Sequence, residues 1–337
     1  MTNLSTNISV SAPSYKEPSS FITDVIDLFF NYNSGHLGKY CYNGANWDHI
    51  LTCSNQYYIP QADNDLVQAA TTEIEKYIPQ GTPYVDFGVG GSEAFKNHVL
   101  PIVKKLSIRD YIGIDCCPNT LSKVSALEPL MGTGGSISTI ETDFFYPIKP
   151  PPTSTPGLGV MNGLTLTNMY GTLDDHDVLQ NLVNVLKNLS YLSGNGWLLL
   201  TIDTNQNETS LHNAYRTDAT ESLYLNVFNR IHDEPSTTDF DPTLFEYDPE
   251  WRENIQLFAH MAKATRSQHF NFGGYSIRVE KGEKFHLLNS YKFNQQFFET
   301  ACDAANLTVE KVWHHESPMK LYLLKDRANT LSPTASA

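Results

Sequence analysis

The chain has 337 residues, 40% hydrophobic and 18% charged, enough to bury one large core or two modest ones. Its 37 acidic residues outnumber 23 basic ones, for a formal charge of −14 with no Lys/Arg run. That balance excludes nucleic acid or an anionic membrane as the main partner and leaves a small molecule as the expected one. No run of about 18 apolar residues is present to span a bilayer, and residues 1–20 lack the basic start and apolar centre of a secretory signal. The five cysteines, Cys41, Cys53, Cys116, Cys117 and Cys302, show no Cys-x-x-Cys spacing and read as reduced thiols of a cytoplasmic protein.

Residues 1–20 read as a disordered leader and 21–30 as an apolar-periodic helix, followed over 32–58 by a loop-rich segment crowded with Tyr40, Tyr42, Trp47, Tyr57 and Tyr58. Aromatics so placed either cover a core or line a ligand pocket. From 63 the pattern becomes regular: helix 63–77, strand 83–87, helix 92–106, strand 110–115, helix 119–127 and strand 136–142. After a Pro-rich surface loop at 147–156 come strand 159–166, helix 175–192 and the very apolar strand 197–202. Strands alternating with helices imply right-handed crossovers and a parallel sheet. Between 203 and about 288 the alternation gives way to helices at 208–215 and 221–231 and to long β-like runs such as 255–264. A helix at 294–304 and strands at 307–314 and 321–324 close the chain, and 327–337 reads as a flexible tail. The expected units are therefore an α/β nucleotide-binding domain from 62–202 with 290–326, and an α+β domain from 21–61 with 203–289.

The strongest local signal is the run 84–91, Tyr-Val-Asp-Phe-Gly-Val-Gly-Gly. It is a strand carrying an acid into a turn where Gly88 and Gly90 let the backbone approach a nucleotide. Glu93 stands where the dinucleotide pattern requires a small residue, which disfavours NAD. Asp115 ends the next strand, suited to ribose hydroxyls, and Asp143 with Phe144 follows the one after, suited to the adenine amino group and ring. Each acid alone can be a helix cap or a solvated turn residue. Asp86, Asp115 and Asp143 together face one crevice at the carboxyl edge of the sheet, where such folds bind ligands.

Further motifs extend along residues 36–325: Lys39-Tyr40-Cys41-Tyr42, Tyr57-Tyr58, Thr142-Asp143-Phe144, and Gly163 through Asn168. Later come Ala214-Tyr215, Leu225-Asn226-Val227 and Asn289-Ser290-Tyr291-Lys292-Phe293. In order and spacing the chain resembles the ergothioneine-pathway histidine Nα-methyltransferases and their fungal relatives that methylate tryptophan or prenylated tryptophan. The resemblance implies a Rossmann-like class I methyltransferase sheet with a second α+β substrate-binding domain, S-adenosyl-L-methionine as cofactor, a monomer, and no metal. It implies cofactor contacts from Tyr57, Gly88, Gly90, Asp115, Asp143 and Phe144. Tyr57, Asn168 and Tyr215 would surround the α-carboxylate and α-amino group of an amino acid, with Tyr42 and Asn168 at the amine being methylated.

Departures from the family pattern bear on the acceptor. Leu288 stands where histidine-specific members carry a glutamate, and Leu257 falls where they tend to place methionine. A leucine leaves an imidazole N–H without a partner, at about 1 to 3 kcal/mol, and suits an indole, whose N–H Ser290 can still meet. Trp47 and Phe285 extend the same wall. The expected activity is N-methylation of L-tryptophan, with 4-prenyl-tryptophan or L-histidine as alternative acceptors, and a non-catalytic methyltransferase-like binding protein as the alternative of another class. Ala94 replaces a lysine frequent in relatives, and Thr167 a glycine before Asn168.

Overall fold

The computed structural model describes residues 20–31, 35–41, 57–148, 152–161, 166, 168–171, 173 and 177–329. Five strands, β1 (Tyr84–Phe87), β2 (Asp110–Asp115), β3 (Ser136–Glu141), β4 (Leu158–Met161) and β5 (Trp197–Asp203), run parallel. They share a sheet with the antiparallel hairpin β12 (Leu307–His314) and β13 (Met319–Asp326), in the order β12-β13-β5-β4-β1-β2-β3. This is the α/β sheet that the alternation predicts. Every residue of β5 is buried, as a strand covered on both faces requires. Leu199 feeds the core on one face, and Leu198, Leu200 and Ile202 feed the other. β3, at the sheet edge, is instead polar and largely exposed. The strand order reverses at β1, which lies between β4 and β2, so a crevice opens at the carboxyl ends of these strands.

Local sequence accounts for the deviations from the expected elements. The helix expected over 63–77 begins earlier, as Ile59–Thr71, with Pro60 in its first turn, where a missing N–H costs nothing. It packs on β12 and β13. The run after the glycine turn winds as Ser92–Ala94, a π turn Phe95–Val99, and Leu100–Lys105. Pro101 has no N–H to close an α-helical bond onto Asn97. β4 is Leu158–Met161, and positions 162–165 of the expected strand lie outside the described residues.

The second sheet joins β11 (Lys284–Tyr291), β8 (Leu257–Ala264) and β6 (Phe245–Tyr247), with β7 (Glu250–Arg252) also on β8. A hairpin of β9 (Gln268–Phe272) and β10 (Tyr275–Val279) flanks it. Helix Glu208–Tyr215 is capped by Asn207, and helix Asp218–Asp233 by a Thr217/Thr220 capping box. The N-terminal helix Phe21–Asn31 seals this unit through Phe29, whose ring meets Phe285 at 5.1 Å and Phe270 at 5.2 Å. The segment at 35–37 extends the edge of β11, with Leu37 N donating to Leu287 O at 3.0 Å. A register shift between His286 and Leu288 leaves Leu288 opposite His260 and Ser290 opposite Phe258. That register puts Phe258, His260, Leu288 and Ser290 on one face and Leu257 and Tyr291 on the other.

Candidate active site

The glycine turn is built for close approach. Gly88 and Gly90 have φ of 78° and 61°, in the left-handed region that side chains avoid, and a Cβ on Gly90 would stand 3.0 Å from that of Ala94. Gly88 N donates to Ile114 O at 2.9 Å, tying the turn to β2. At the end of β2, Asp115 accepts from Cys117 N at 2.8 Å. Burial raises its pKa to about 6, which leaves a carboxylate at neutral pH. Asp86, deeper in the sheet, accepts from the Tyr111 hydroxyl at 2.6 Å, and burial raises its pKa to about 7. A turn with no side chain in the way, beside an ionised carboxylate at the next strand end, fits a nucleoside bearing a vicinal diol.

Asp143 lies just beyond β3 with its two oxygens differently engaged. Oδ1 accepts from Phe145 N at 3.2 Å, while Oδ2 accepts from Tyr170 Oη and from Lys39 Nζ at 3.4 Å. Lys39 also pairs with Asp24 at 3.2 Å, and Asp24 accepts from Tyr40 Oη at 2.8 Å. The N-terminal helix is thereby tied to the crevice. Phe144 turns into the core, edge-on to Phe87 at 5.8 Å.

At the end of β5 a second network centres on the fully buried Lys292 and Asp203. Lys292 Nζ donates to Asp203 Oδ2 and to Tyr215 Oη, each at 2.7 Å, and Tyr58 Oη donates to the same carboxylate at 2.7 Å. Burial pulls Lys292 down but Asp203 and Tyr215 together more than offset it, so the ammonium is held above its ordinary pKa. Because an ammonium only donates, Tyr215 must accept from it, and its own proton is left to donate elsewhere. Tyr57 meets the Tyr215 ring at 5.5 Å.

A third cluster joins the loop after β4 to β11. Asn289 Nδ2 donates to Met169 O at 3.1 Å and Gly171 O at 3.0 Å, and the neighbouring Ser290 Oγ donates to Asn168 Oδ1 at 3.5 Å. His260 Nε2 lies 2.8 Å from Ser290 Oγ, and its Nδ1 lies 2.6 Å from Tyr247 Oη. Leu288, buried on the same strand face, is covered by the short helix Gly38–Cys41: a Cβ on Gly38 would sit 3.2 Å from the Leu288 Cβ.

The fold thus brings Tyr57 and Tyr215 together, and places Asn168, Ser290 and Leu288 along β11. It does not bring Leu257 to them. Leu257 pairs with Tyr291 on the opposite face, because side chains alternate along β8. Phe285 packs against Phe29 and Phe245 in the core of the second unit. Tyr42 and Trp47 lie outside the described residues. Lys96 pairs with Glu93 at the surface, 2.8 Å away.

The residues missed from sequence are Tyr58, Asp203, His260, Tyr247 and Lys292. Signals for two of them were present. Asp203 is another acid at a strand end, and Lys292 is a cation amid Ser290-Tyr291 and Phe293. Among the described residues Cys41, Cys116, Cys117 and Cys302 are unpaired thiols, no group of three or more His, Cys, Asp or Glu is arranged to hold a metal, and no helix is long and apolar enough to cross a membrane.

Comparison with known proteins bears on this geometry. A family described as histidine-specific methyltransferase, SAM-dependent, matches residues 39–326. The uncharacterised protein y4iF of Sinorhizobium fredii is 25% identical over 253 residues, covering 73% of this chain and 81% of the relative. The N-methyltransferase dtpB of Aspergillus flavus is 20% identical over 278 residues, covering 78% and 76%. A crystal structure of an S-adenosylmethionine-dependent methyltransferase from Clostridium acetobutylicum aligns over 83% of this chain and 95% of its own, at 12% identity and a TM-score of 0.42.

Proposed function

This chain belongs to the histidine-specific, S-adenosylmethionine-dependent methyltransferase family, and from that premise we propose that its acceptor is the α-amino group of an aromatic amino acid, L-tryptophan first among them. The observation that carries this reading is the set of polar donors from Tyr57, Tyr215 and Asn168 at the carboxyl edge of the sheet, next to the apolar wall of Leu288. Tyr215, with its oxygen engaged by Lys292, offers a proton to a carboxylate. Leu288 offers an imidazole no partner, whereas an indole needs none at its carbons. The relative dtpB, named as an N-methyltransferase, supports nitrogen as the atom methylated.

S-adenosylmethionine supplies a methyl group on a sulfonium, an electrophile for in-line attack. The residues of this chain then have to orient the amine, keep it neutral and exclude water. Gly88, Gly90 and Asp115 would hold the adenosine portion. Asn168 and Tyr215 would hold the amino-acid end, with the proton lost to water and the Tyr42 hydroxyl assisting by hydrogen bond.

Mass spectrometry of products from L-tryptophan, 4-prenyl-tryptophan and L-histidine tests the reading, with methylated tryptophan as the expected dominant product. Histidine as the sole acceptor would overturn the substrate assignment. Tight binding of S-adenosylhomocysteine without any product would favour a non-catalytic binding protein. Leu288→Glu, by restoring a carboxylate to the wall, is expected to move the ratio of kcat/KM between histidine and tryptophan at least about tenfold toward histidine.

A further inference from the structure

We infer that His260 is a positioning residue for the acceptor's carboxylate, acting through Ser290 to fix which edge of the Asn168 amide faces the ligand. The inference rests on the amino-acid reading above. Its basis is a chain of hydrogen bonds whose direction follows from the Asn168 amide oxygen facing Ser290. Asn168 Oδ1 can only accept, so Ser290 Oγ spends its single proton on it. Ser290 Oγ must then accept from its other neighbour, which makes His260 Nε2 the protonated nitrogen, 2.8 Å away. Nδ1 is left as an acceptor, and Tyr247 Oη, at 2.6 Å, donates to it.

The imidazole is held neutral for this purpose. His260 is fully buried, and burial, with Lys292 and His286 adding repulsion, keeps its pKa well below the ordinary histidine value. The ring is gripped by Tyr224, whose centroid lies 3.9 Å away, and by Tyr215 at 5.0 Å. It is therefore fixed in position as well as in tautomer.

The consequence appears at Asn168. With its oxygen drawn toward Ser290, the amide presents N–H donors, a surface that suits a carboxylate and cannot take a proton from an ammonium. The relay thus gives Asn168 an orienting role and leaves proton removal elsewhere. In β8, Leu257–Ala264, the one histidine lies on the face shared with Ser290, where an aliphatic residue would leave Ser290 free to turn.

The test separates carboxylate from amine recognition. Inhibition constants are measured for indole-3-propionate, which has the carboxylate without the amine, and for tryptamine, which has the amine without the carboxylate. For His260→Leu, the constant for indole-3-propionate is expected to rise about tenfold, in keeping with loss of one hydrogen bond to a charged group, with that for tryptamine unmoved; Ser290→Ala is expected to raise the constant for indole-3-propionate at least as much. The double variant is expected to be no worse than the worse single one, since both break the same chain. His260→Gln, whose amide offers an acceptor to Tyr247 and a donor to Ser290, is expected to restore most of the affinity. S-adenosylhomocysteine affinity reports on an intact fold. Should His260→Leu not fold, the milder Tyr247→Phe carries the same test.

Equal losses for both inhibitors in His260→Leu, additive effects in the double variant, or failure of His260→Gln to restore affinity would each overturn the relay. A wild-type protein that methylates no aromatic amino acid would overturn the proposed function and the relay with it. Normal wild-type turnover with unmoved variants would overturn the relay alone.

Discussion

Two lysines anchor the two ends of the site, and they are built differently. Lys292 is wholly enclosed, as is its one acid, Asp203, and a second of its donors goes to Tyr215. Lys39 keeps 9% of its side-chain surface exposed and divides itself between Asp24 and Asp143 at longer distances, 3.2 and 3.4 Å. A buried ion pair with short bonds has one arrangement, and breaking it leaves an uncompensated charge. A shared lysine has two acids to lean on and loses less when one is taken up by something else. The acceptor end is therefore rigid, and the cofactor end has contacts it can exchange.

The sharpest way to break this contrast is Lys292→Met. Leaving Asp203 buried without its partner is expected to cost about 3 to 5 kcal/mol, read as a lower denaturation midpoint, together with loss of nearly all turnover because Tyr215 is released. Combining it with Asp203→Leu is expected to restore much of the stability and none of the activity. If the double variant regained activity, the network would be only a structural element.

A smaller effect is expected at Asp115, with a pH dependence whose sign differs between binding and stability. The carboxylate form is the one that accepts hydroxyl donors, so affinity for S-adenosylhomocysteine is expected to be flat at neutral pH and to fall as pH drops through about 6. Asp115→Asn is expected to bind weakly at every pH, and calorimetry across the range checks both. For the unliganded protein the sign is opposite. Burial raises the folded-state pKa of Asp115 from 3.8 to about 6 and that of Asp86 from 3.8 to about 7. Their contribution to stability is thus fully present below the ordinary carboxylate value and is lost as pH rises through those raised values. Asp86→Asn is expected to flatten the upper part of that loss in thermal melts.

The smallest effect is expected for Lys39→Met. Shared contacts predict a change in cofactor affinity of only a few-fold and a smaller fall in melting temperature than for Lys292→Met, since Asp24 keeps the Tyr40 hydroxyl and Asp143 the Tyr170 hydroxyl as donors. A loss as large as that of Lys292→Met would erase the distinction between the two ends.

Elements whose signal is local were legible in the chain. β2 over 110–115 and β12 over 307–314 coincide with the expected bounds, and helix Glu208–Tyr215 does likewise. The glycine turn and Asp115 were legible because strand, turn and carboxylate are close in sequence. Less of the acceptor end could be read. Tyr57, Asn168, Tyr215 and Ser290 came only through family likeness, and the enclosed pairing of Lys292 with Asp203, 89 positions apart in the chain, has no local signature.

Periodicity, glycine placement and the spacing of acids by themselves determined an α/β sheet with a nucleoside crevice at its carboxyl edge. Those are consequences of backbone sterics and of burial on two faces, which each short segment expresses alone. Only the tertiary structure decided which side chains share a face. The shift between His286 and Leu288 puts His260, and not Leu257, beside Ser290. A strand's side chains alternate, so one residue of register moves a group from the site to the core, and register is set by the partner strand rather than by the strand's own sequence.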